Sequence, residues 1–317
     1  MKKDRLQEFI EDLSHLFPEQ VELDVPLAPL TTYQVGGPAK ALVYPKSREV
    51  LQQVLKRCHQ ENIPIFILGG GSNILVHDDG LDAVVISLQK CCAELFRRDQ
   101  QVYAGAGVMV SELVEYCEAN DLAGLEFMSG IPGTVGGALR MNAGAFVGEI
   151  GDRVITIEAL LTDGEFVEIP GLQAGFGYRR ADHLTDKILL GCWLRLFPGT
   201  RSELESARLD YLKRRSAKQP LEYGSCGSVF KRPPGNYAGT LIEKAGCKGL
   251  SVGGAMVSPK HANFIINYNH ATARDIYQLI QKVQREVYKK FGTWLELEVK
   301  LIGFSDDEKE KVAQPRE

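Results

Sequence analysis

The chain lacks several features that would narrow its function at once. No stretch approaches the ~20 consecutive apolar residues that a membrane helix needs, and no run of Lys and Arg marks a nucleic-acid track. The opening residues, Met1 to Glu8, have no apolar core of the kind a secretory signal carries. Seven cysteines, at positions 58, 91, 92, 117, 192, 226 and 247, are odd in number and include no Cys-x-x-Cys spacing. A disulfide framework and a zinc site are therefore not expected, and reduced thiols fit the cytosol. The six histidines show neither His-x-x-x-His nor His-x-x-Glu-His spacing, so no metal site is expected. These absences predict a cytoplasmic protein with no metal, membrane or nucleic-acid partner.

What is present is ordinary in bulk and rich in glycine. The 317 residues are 44% hydrophobic and 25% charged, with a net charge of -4, which excludes a disordered chain. At ~100–200 residues per domain, the length predicts two or three domains, each able to bury a core. The 32 glycines run above the roughly 7% average, so some segments need tight turns or close backbone approach.

Leu6, Phe9, Ile10, Leu13 and Leu16 repeat at helical spacing and predict an amphipathic opening helix. Ser47 reads as the N-cap of a second helix, with Val50, Leu51, Val54, Leu55 and Cys58 on its apolar face. The apolar run 65–68 predicts a buried strand that ends directly in glycines. Strands are expected near 84–88, 101–104 and 154–161, and helices over 111–120 and 201–217. Thr272 caps a helix with the stripe Ile276, Leu279, Ile280, Val283 and Val287, and Gly292 stops it. Strict alternation over 294–302 predicts a strand with Leu295, Leu297, Val299 and Leu301 on one face, and Glu296 and Glu298 on the other. The charged tail 305–317 reads as loose.

Gly69, Gly70 and Gly71, followed by Ser72 and Asn73, can turn successive N–H groups toward a diphosphate with no Cβ in the way. A plain strand-end turn is the competing reading, and no Gly-Lys-Ser or Gly-Lys-Thr makes it a Walker loop. Gly105 and Gly107 imitate a dinucleotide fingerprint, but Val110 stands where the third glycine belongs, so the match is half-formed. The segment 129–145 is more informative, because five glycines, a proline and small side chains suit a surface for a large flat ligand. Further on, 224–231 brings two serines, Cys226 and Lys231 together in a turn-rich stretch. A serine hydroxyl there could deliver a proton and the lysine could meet phosphate. Read alone, these serines are more often turn residues, Cys226 is more often an inert thiol, Glu296 and Glu298 are usually just solvated, and Tyr178, Arg179 and Arg180 are ambiguous.

Taken in order, the segments 31–37 (TTYQVGG), 69–75 (GGGSNIL), 129–145 (SGIPGTVGGALRMNAGA), 176–179 (FGYR), 227–231 (GSVFK), 241–243 (LIE), 253–258 (GGAMVS), 260–264 (KHANF) and 295–303 (LELEVKLIG) form a pattern. That pattern resembles the UDP-N-acetylenolpyruvoylglucosamine reductase (UDP-N-acetylmuramate dehydrogenase, MurB) family, flavoenzymes of bacterial peptidoglycan synthesis. The resemblance spans most of 30–303. It implies an α+β fold: an FAD-binding fold of the vanillyl-alcohol-oxidase (PCMH) type in two lobes, with a C-terminal α+β substrate domain. The implied boundaries are 1–87 for the first lobe, joined by a returning strand over 293–303, then 88–206 for the second lobe. A substrate domain over 207–292 and a charged tail over 304–317 complete the chain.

By the same resemblance, noncovalent FAD is bound by Gly69, Gly70, Gly71, Ser72 and Asn73 around its pyrophosphate. Ser129, Gly130, Ile131, Pro132, Gly133, Gly136, Gly137, Ala138, Asn142 and Gly144 would line the cofactor. The family's catalytic positions fall on Arg179, Ser228 and Glu298, and Tyr178, Lys231 and Lys260 become substrate contacts. The implied reaction uses NADPH as co-substrate and delivers hydride through FAD to the enol ether of a UDP-sugar, giving UDP-N-acetylmuramate. Arg179 would stabilise charge developing on the substrate carboxylate. Ser228 would donate a proton, and Glu298 would assist if burial or anionic neighbours raise its pKa. No tyrosine-bearing insertion is found between Arg179 and Gly224, which matches the family's shorter form, and Arg232 with two prolines stands where many members have Asn. The resemblance further implies roles in cell wall biogenesis, cell shape, cell division and the cell cycle, and a monomer. Two other readings are another FAD-dependent sugar or alcohol oxidoreductase of the same fold, and a noncatalytic nucleotide-sugar binder.

Overall fold

A computed structural model describes residues 2–315, and the chain divides into two compact units. The first comprises the residues up to Leu23, Lys40–Gly70 and Ala83–Arg215, and the second Asp24–Ala39, Gly71–Asp82 and the residues from Ser216 onward. Each has its own apolar core. The last two residues of the tail read as loose lie outside the described residues.

In the first unit, helix α1 (Lys2–Leu16) turns Phe9, Ile10 and Leu13 into the core as its periodicity predicts, with Leu6 partly buried, whereas Leu16 at its end is exposed. Helix α2 (Arg48–Gln60) begins where Ser47 Oγ accepts from Val50 N at 3.3 Å, satisfying one of the helix's orphan amides. Its Leu51, Val54, Leu55 and Cys58 are all buried. A five-stranded antiparallel sheet runs in the order Phe166–Pro170, Val154–Leu160, Ile188–Arg195, Gln101–Gly105, Leu95–Arg98. A second sheet orders Val21–Pro26, Pro38–Val43, Leu81–Ser87 and Ile65–Leu68, the last two paired in parallel with Ile65 opposite Val84. Of the strand Ile65–Leu68 only Leu68 is fully buried, not the whole run as its composition suggests, and Ile67 and Leu68 line a cavity. Helices α3 (Val110–Ala119) and α4 (Val135–Arg140) pack on this framework, and α5 (Arg201–Lys218) carries the chain out of it.

The glycines of the half-formed dinucleotide fingerprint have a local explanation. A Cβ on Gly105 would sit 2.3 Å from Cys92 O, and one on Gly107 2.4 Å from Leu88 O. Glu126, near the offset of a ribose-binding carboxylate, instead accepts twice from Gly124 N at 2.9 and 3.1 Å.

The second unit is built around helices α6 (Ala238–Lys244) and α7 (Ala273–Phe291), with a three-stranded antiparallel sheet of Ser251–Val252, Ala255–Val257 and Ile265–Asn267. Thr272 Oγ1 accepts from Asp275 N, and Asp275 returns the contact to Thr272 N, both at 3.0 Å. Asp78 adds a second cap by accepting from Ala273 N and Arg274 N. The predicted stripe of α7 is buried throughout, and Gly292 closes the helix at φ +64°.

Two expectations are corrected at the C-terminal end. Over 294–302 only Lys300–Ile302 forms a strand, paired in parallel with Ile74–Val76, and a single bridge joins Leu297 to Phe230. Leu295 O accepts from Gln284 of α7 rather than from a strand partner, and 296–298 pair only with the short segment 229–231. The tail is also ordered. Ser305 Oγ caps helix α8 (Asp306–Ala313), because the acidic run 306–308 stabilises a helix N-terminus.

Candidate active site

Two glycine segments meet in the first unit. A Cβ on Gly70 would lie 2.5 Å from Gly133 Cα, and one on Gly69 2.8 Å from Thr134 Oγ1. At Gly70 backbone therefore touches backbone, which only glycine permits. Beside this contact is a cavity of about 110 Å³ lined by Gly69, Gly107, Thr134, Gly136, Gly137 and Arg140 among others. Arg140 donates to Leu184 O and to Lys187 O, and burial pulls its guanidinium below the usual arginine range. Four glycines in the lining, with amides at a helix start, fit a dinucleotide cofactor such as FAD.

The rest of the segment 129–145 holds a neighbouring hairpin in place. Ser129 Oγ donates to Glu126 O at 2.6 Å, and its carbonyl accepts from Arg215 Nε. Asn142, 2% exposed and at φ +41°, donates to Glu149 Oε2 and Gly177 O and accepts from Gly151 N. Gly177 belongs to the hairpin of Phe176–Gly177 and Arg180–Ala181, whose turn carries Tyr178 and Arg179. Arg179 is held at φ +56°, a region that non-glycine residues seldom occupy. Its Nη2 donates to Gly144 O at 3.0 Å, and its guanidinium lies 5.1 Å from the centre of the Tyr178 ring. Ile131, Pro132 and Ala138 lie on the loop and helix between these contacts.

In the second unit, Gly71 sits at φ +61° with Leu30 O so close that a Cβ would come within 2.1 Å. Its carbonyl accepts from Thr32 N, so the 31–37 turn supports the start of the loop. Asn73 then ties that loop to the C-terminal segment: its Nδ2 donates to Glu298 O at 3.3 Å, and its carbonyl accepts from Lys300 N at 3.0 Å. Glu298 N donates to Val229 O at 2.8 Å, which places Glu298 beside the segment that begins at Ser228. Asn263 clamps the same segment from its other edge. Its Oδ1 accepts from Phe230 N, its Nδ2 donates to Phe230 O, and its carbonyl accepts from Val229 N. Beneath lies Cys226, 4% exposed, whose thiol is pushed up to about 12 by burial first and by the Glu298 charge among lesser causes. Tyr33 is wholly buried and its hydroxyl is raised well above its ordinary value, by burial and then by Cys226.

Two of the three predicted catalytic residues, Ser228 and Glu298, thus share one backbone network in the second unit, while Arg179 belongs to the first. Lys231 pairs with Glu296, and Lys260 Nζ donates to Ser216 O at 2.7 Å. The sequence did not single out Asn263, Lys300 or Arg215. Partial desolvation and then the neighbouring Lys231 hold Lys300 below the usual lysine range. Asn263 lies within the segment 260–264, but an amide that serves only backbone partners leaves no spacing signal. Among the described residues, no group of three or more His, Cys, Asp and Glu side chains could hold a metal. Nor is any described helix long and apolar enough to cross a membrane.

Residues 39–170 match an FAD binding domain, and residues 219–302 match the C-terminal domain of UDP-N-acetylenolpyruvoylglucosamine reductase. The UDP-N-acetylenolpyruvoylglucosamine reductase of Clostridioides difficile is 42% identical over 298 residues, covering 93% of this chain and 97% of that protein. The Listeria monocytogenes protein of the same name is 40% identical over 297 residues, covering 93% of this chain and 99% of its own. The crystal structure of the reductase from Thermus caldophilus superposes with a TM-score of 0.75 at 35% identity, covering 89% of this chain and 98% of the other. Fold and site together define an FAD-containing oxidoreductase, α+β in class, with a cofactor fold of the vanillyl-alcohol-oxidase (PCMH) type. The chain belongs to the UDP-N-acetylenolpyruvoylglucosamine reductase family.

Proposed function

We propose that this protein catalyses the NADPH-dependent reduction of UDP-N-acetylenolpyruvoylglucosamine to UDP-N-acetylmuramate in peptidoglycan precursor synthesis. The observation that carries the reading is the hydrogen bond from Glu298 N to Val229 O, which fixes an acid next to the serine-bearing segment. When bound, FAD would supply the hydride for the enolpyruvyl double bond. Gly69, Gly70, Gly71, Ser72 and Asn73 would hold its pyrophosphate, and the loop 129–144 would line its remainder. Residues 1–87 and 88–206 serve as cofactor lobes, and 207–292 as the substrate domain.

Arg179 places a permanent cation beside the substrate carboxylate, where negative charge grows as the double bond is reduced. An interaction that strengthens as that charge develops lowers the barrier selectively. Ser228 Oγ gives its proton to the carbon next to the carboxylate. Glu298 assists rather than repels the growing anion by sharing a proton with the substrate. Lys231 and Lys260 meet the diphosphate, and Tyr178 is a further substrate contact. The enzyme works in the cytoplasm as a monomer, and its product supports cell wall growth, cell shape and division. The test is anaerobic: NADPH should bleach the bound flavin, and the enolpyruvyl UDP-sugar should restore its colour. Recolouring only by air, or by an unrelated alcohol or sugar, would favour another oxidoreductase of this fold.

A further inference from the structure

Helix α5 carries a guanidinium into the interior of the first unit. Arg215 is only 8% exposed, and burying a permanent cation is costly unless it is paired. Its Nε donates to Ser129 O at 2.6 Å. Gly130 makes room for its stem, since a Cβ there would stand 2.8 Å from Arg215 Cδ. Its Nη2, however, is buried with no hydrogen-bond partner among the described residues.

The charge that acts on Arg215 is another cation. Burial first, and repulsion from Arg179 second, push the Arg215 guanidinium below its ordinary pKa. Arg179 donates to Gly144 O, and Phe146, two residues further along, lays its ring 5.4 Å from Arg215 Cζ. Phe146 also packs on Tyr211 at 4.8 Å, is half exposed, and is held at φ +57°. Two neighbouring guanidiniums, one with a buried unused donor and an aromatic cover, form a site that an oxyanion would complete.

We propose that Arg215 is a substrate-binding residue which, with Arg179, takes the carboxylate of the enolpyruvyl group. The inference rests on the proposed function, where Arg179 already attends that carboxylate. A carboxylate has two oxygens and can accept one donor from each guanidinium, which neutralises the repulsion between them. A diphosphate, the other oxyanion the reaction brings, calls for a wider site than a single buried donor beside an aromatic ring.

The test compares two probes on the oxidised holoenzyme, read through the change in flavin absorbance on binding. UDP-N-acetylmuramate carries a carboxylate on its lactyl group, and UDP-N-acetylglucosamine is the same sugar nucleotide without it. Arg215→Met should weaken binding of the first by about 10- to 100-fold, the range for a lost hydrogen bond to a charged group. Binding of the second should stay unchanged, and Arg215→Lys should fall between wild type and Met. Equal weakening of both probes would assign the guanidinium to the diphosphate or the fold and overturn the proposal. So would an unchanged muramate affinity, a wild type that binds both probes alike, or loss of flavin from both variants. Failure of the wild type to recolour with the enolpyruvyl sugar would instead remove the proposed reaction, while the difference between probes still decides the carboxylate.

Discussion

Arg179, Asn142 and Phe146 lie in the left-handed backbone region, at φ +56°, +41° and +57°. Each such residue costs on the order of 1–2 kcal/mol, so their concentration around one hairpin marks a place where position is maintained against local preference. Asn142 supplies part of the restraint through its three hydrogen bonds. Ser228→Ala should slow reoxidation of the flavin by the enolpyruvyl substrate by ~10²–10⁴-fold, while reduction by NADPH stays near normal. Stopped-flow absorbance on the two half-reactions checks this, and equal losses in both would argue against a proton donor. At the glycine contact, Gly70→Ala forces a methyl to within 2.5 Å of Gly133 Cα. The expected result is protein purified with less bound FAD, measured from the ratio of visible to ultraviolet absorbance.

At the scale of elements, α7 shows the closest agreement between sequence and structure. Its stripe, the Thr272 cap and the Gly292 stop are all readable because 3.6-residue periodicity and terminal signals are local. Ile280→Ala should destabilise the second unit by ~2–5 kcal/mol and Thr272→Ala by ~1 kcal/mol, measured by chemical denaturation. The second cap, from Asp78, is 195 residues away in sequence and had no local signal. The same distinction explains the misread stretch after Gly292. Alternation there was real, but the backbone of Leu295 bonds to Gln284 and that of Leu297 bridges only to Phe230, rather than continuing a sheet. In the site, the glycine segments announced themselves because only glycine tolerates such approach. Choosing Ser228 over Ser225, and Glu298 over Glu296, needed the family pattern. Arg215 was hidden because an Arg-Arg pair in a charged helix looks the same whether one member is solvated or buried.

For the whole molecule, the two cores share a dependence on alkaline pH. Cys58, Cys117 and Cys226 are 1%, 2% and 4% exposed, and burial pushes each thiol up to about 12. In the unfolded chain these groups ionise near 9, so between about pH 9 and 12 the folded state binds more protons than the unfolded one. Their contribution to stability is complete below about pH 9 and is lost as pH rises toward 12. Each thiol can remove up to ~1.4 kcal/mol per pH unit across that window. The melting temperature should therefore be flat from neutral pH to about 9 and then fall steeply. Replacing Cys58 with Ala should make that fall shallower, whatever it does to the plateau.

All seven cysteines are free and buried, five in the first unit and two in the second. A thiol reagent can reach them only when the surrounding structure opens, so the pace of labelling becomes a clock for local unfolding. Mass spectrometry of timed samples would then tell which unit breathes first, without any probe having to be engineered into the chain.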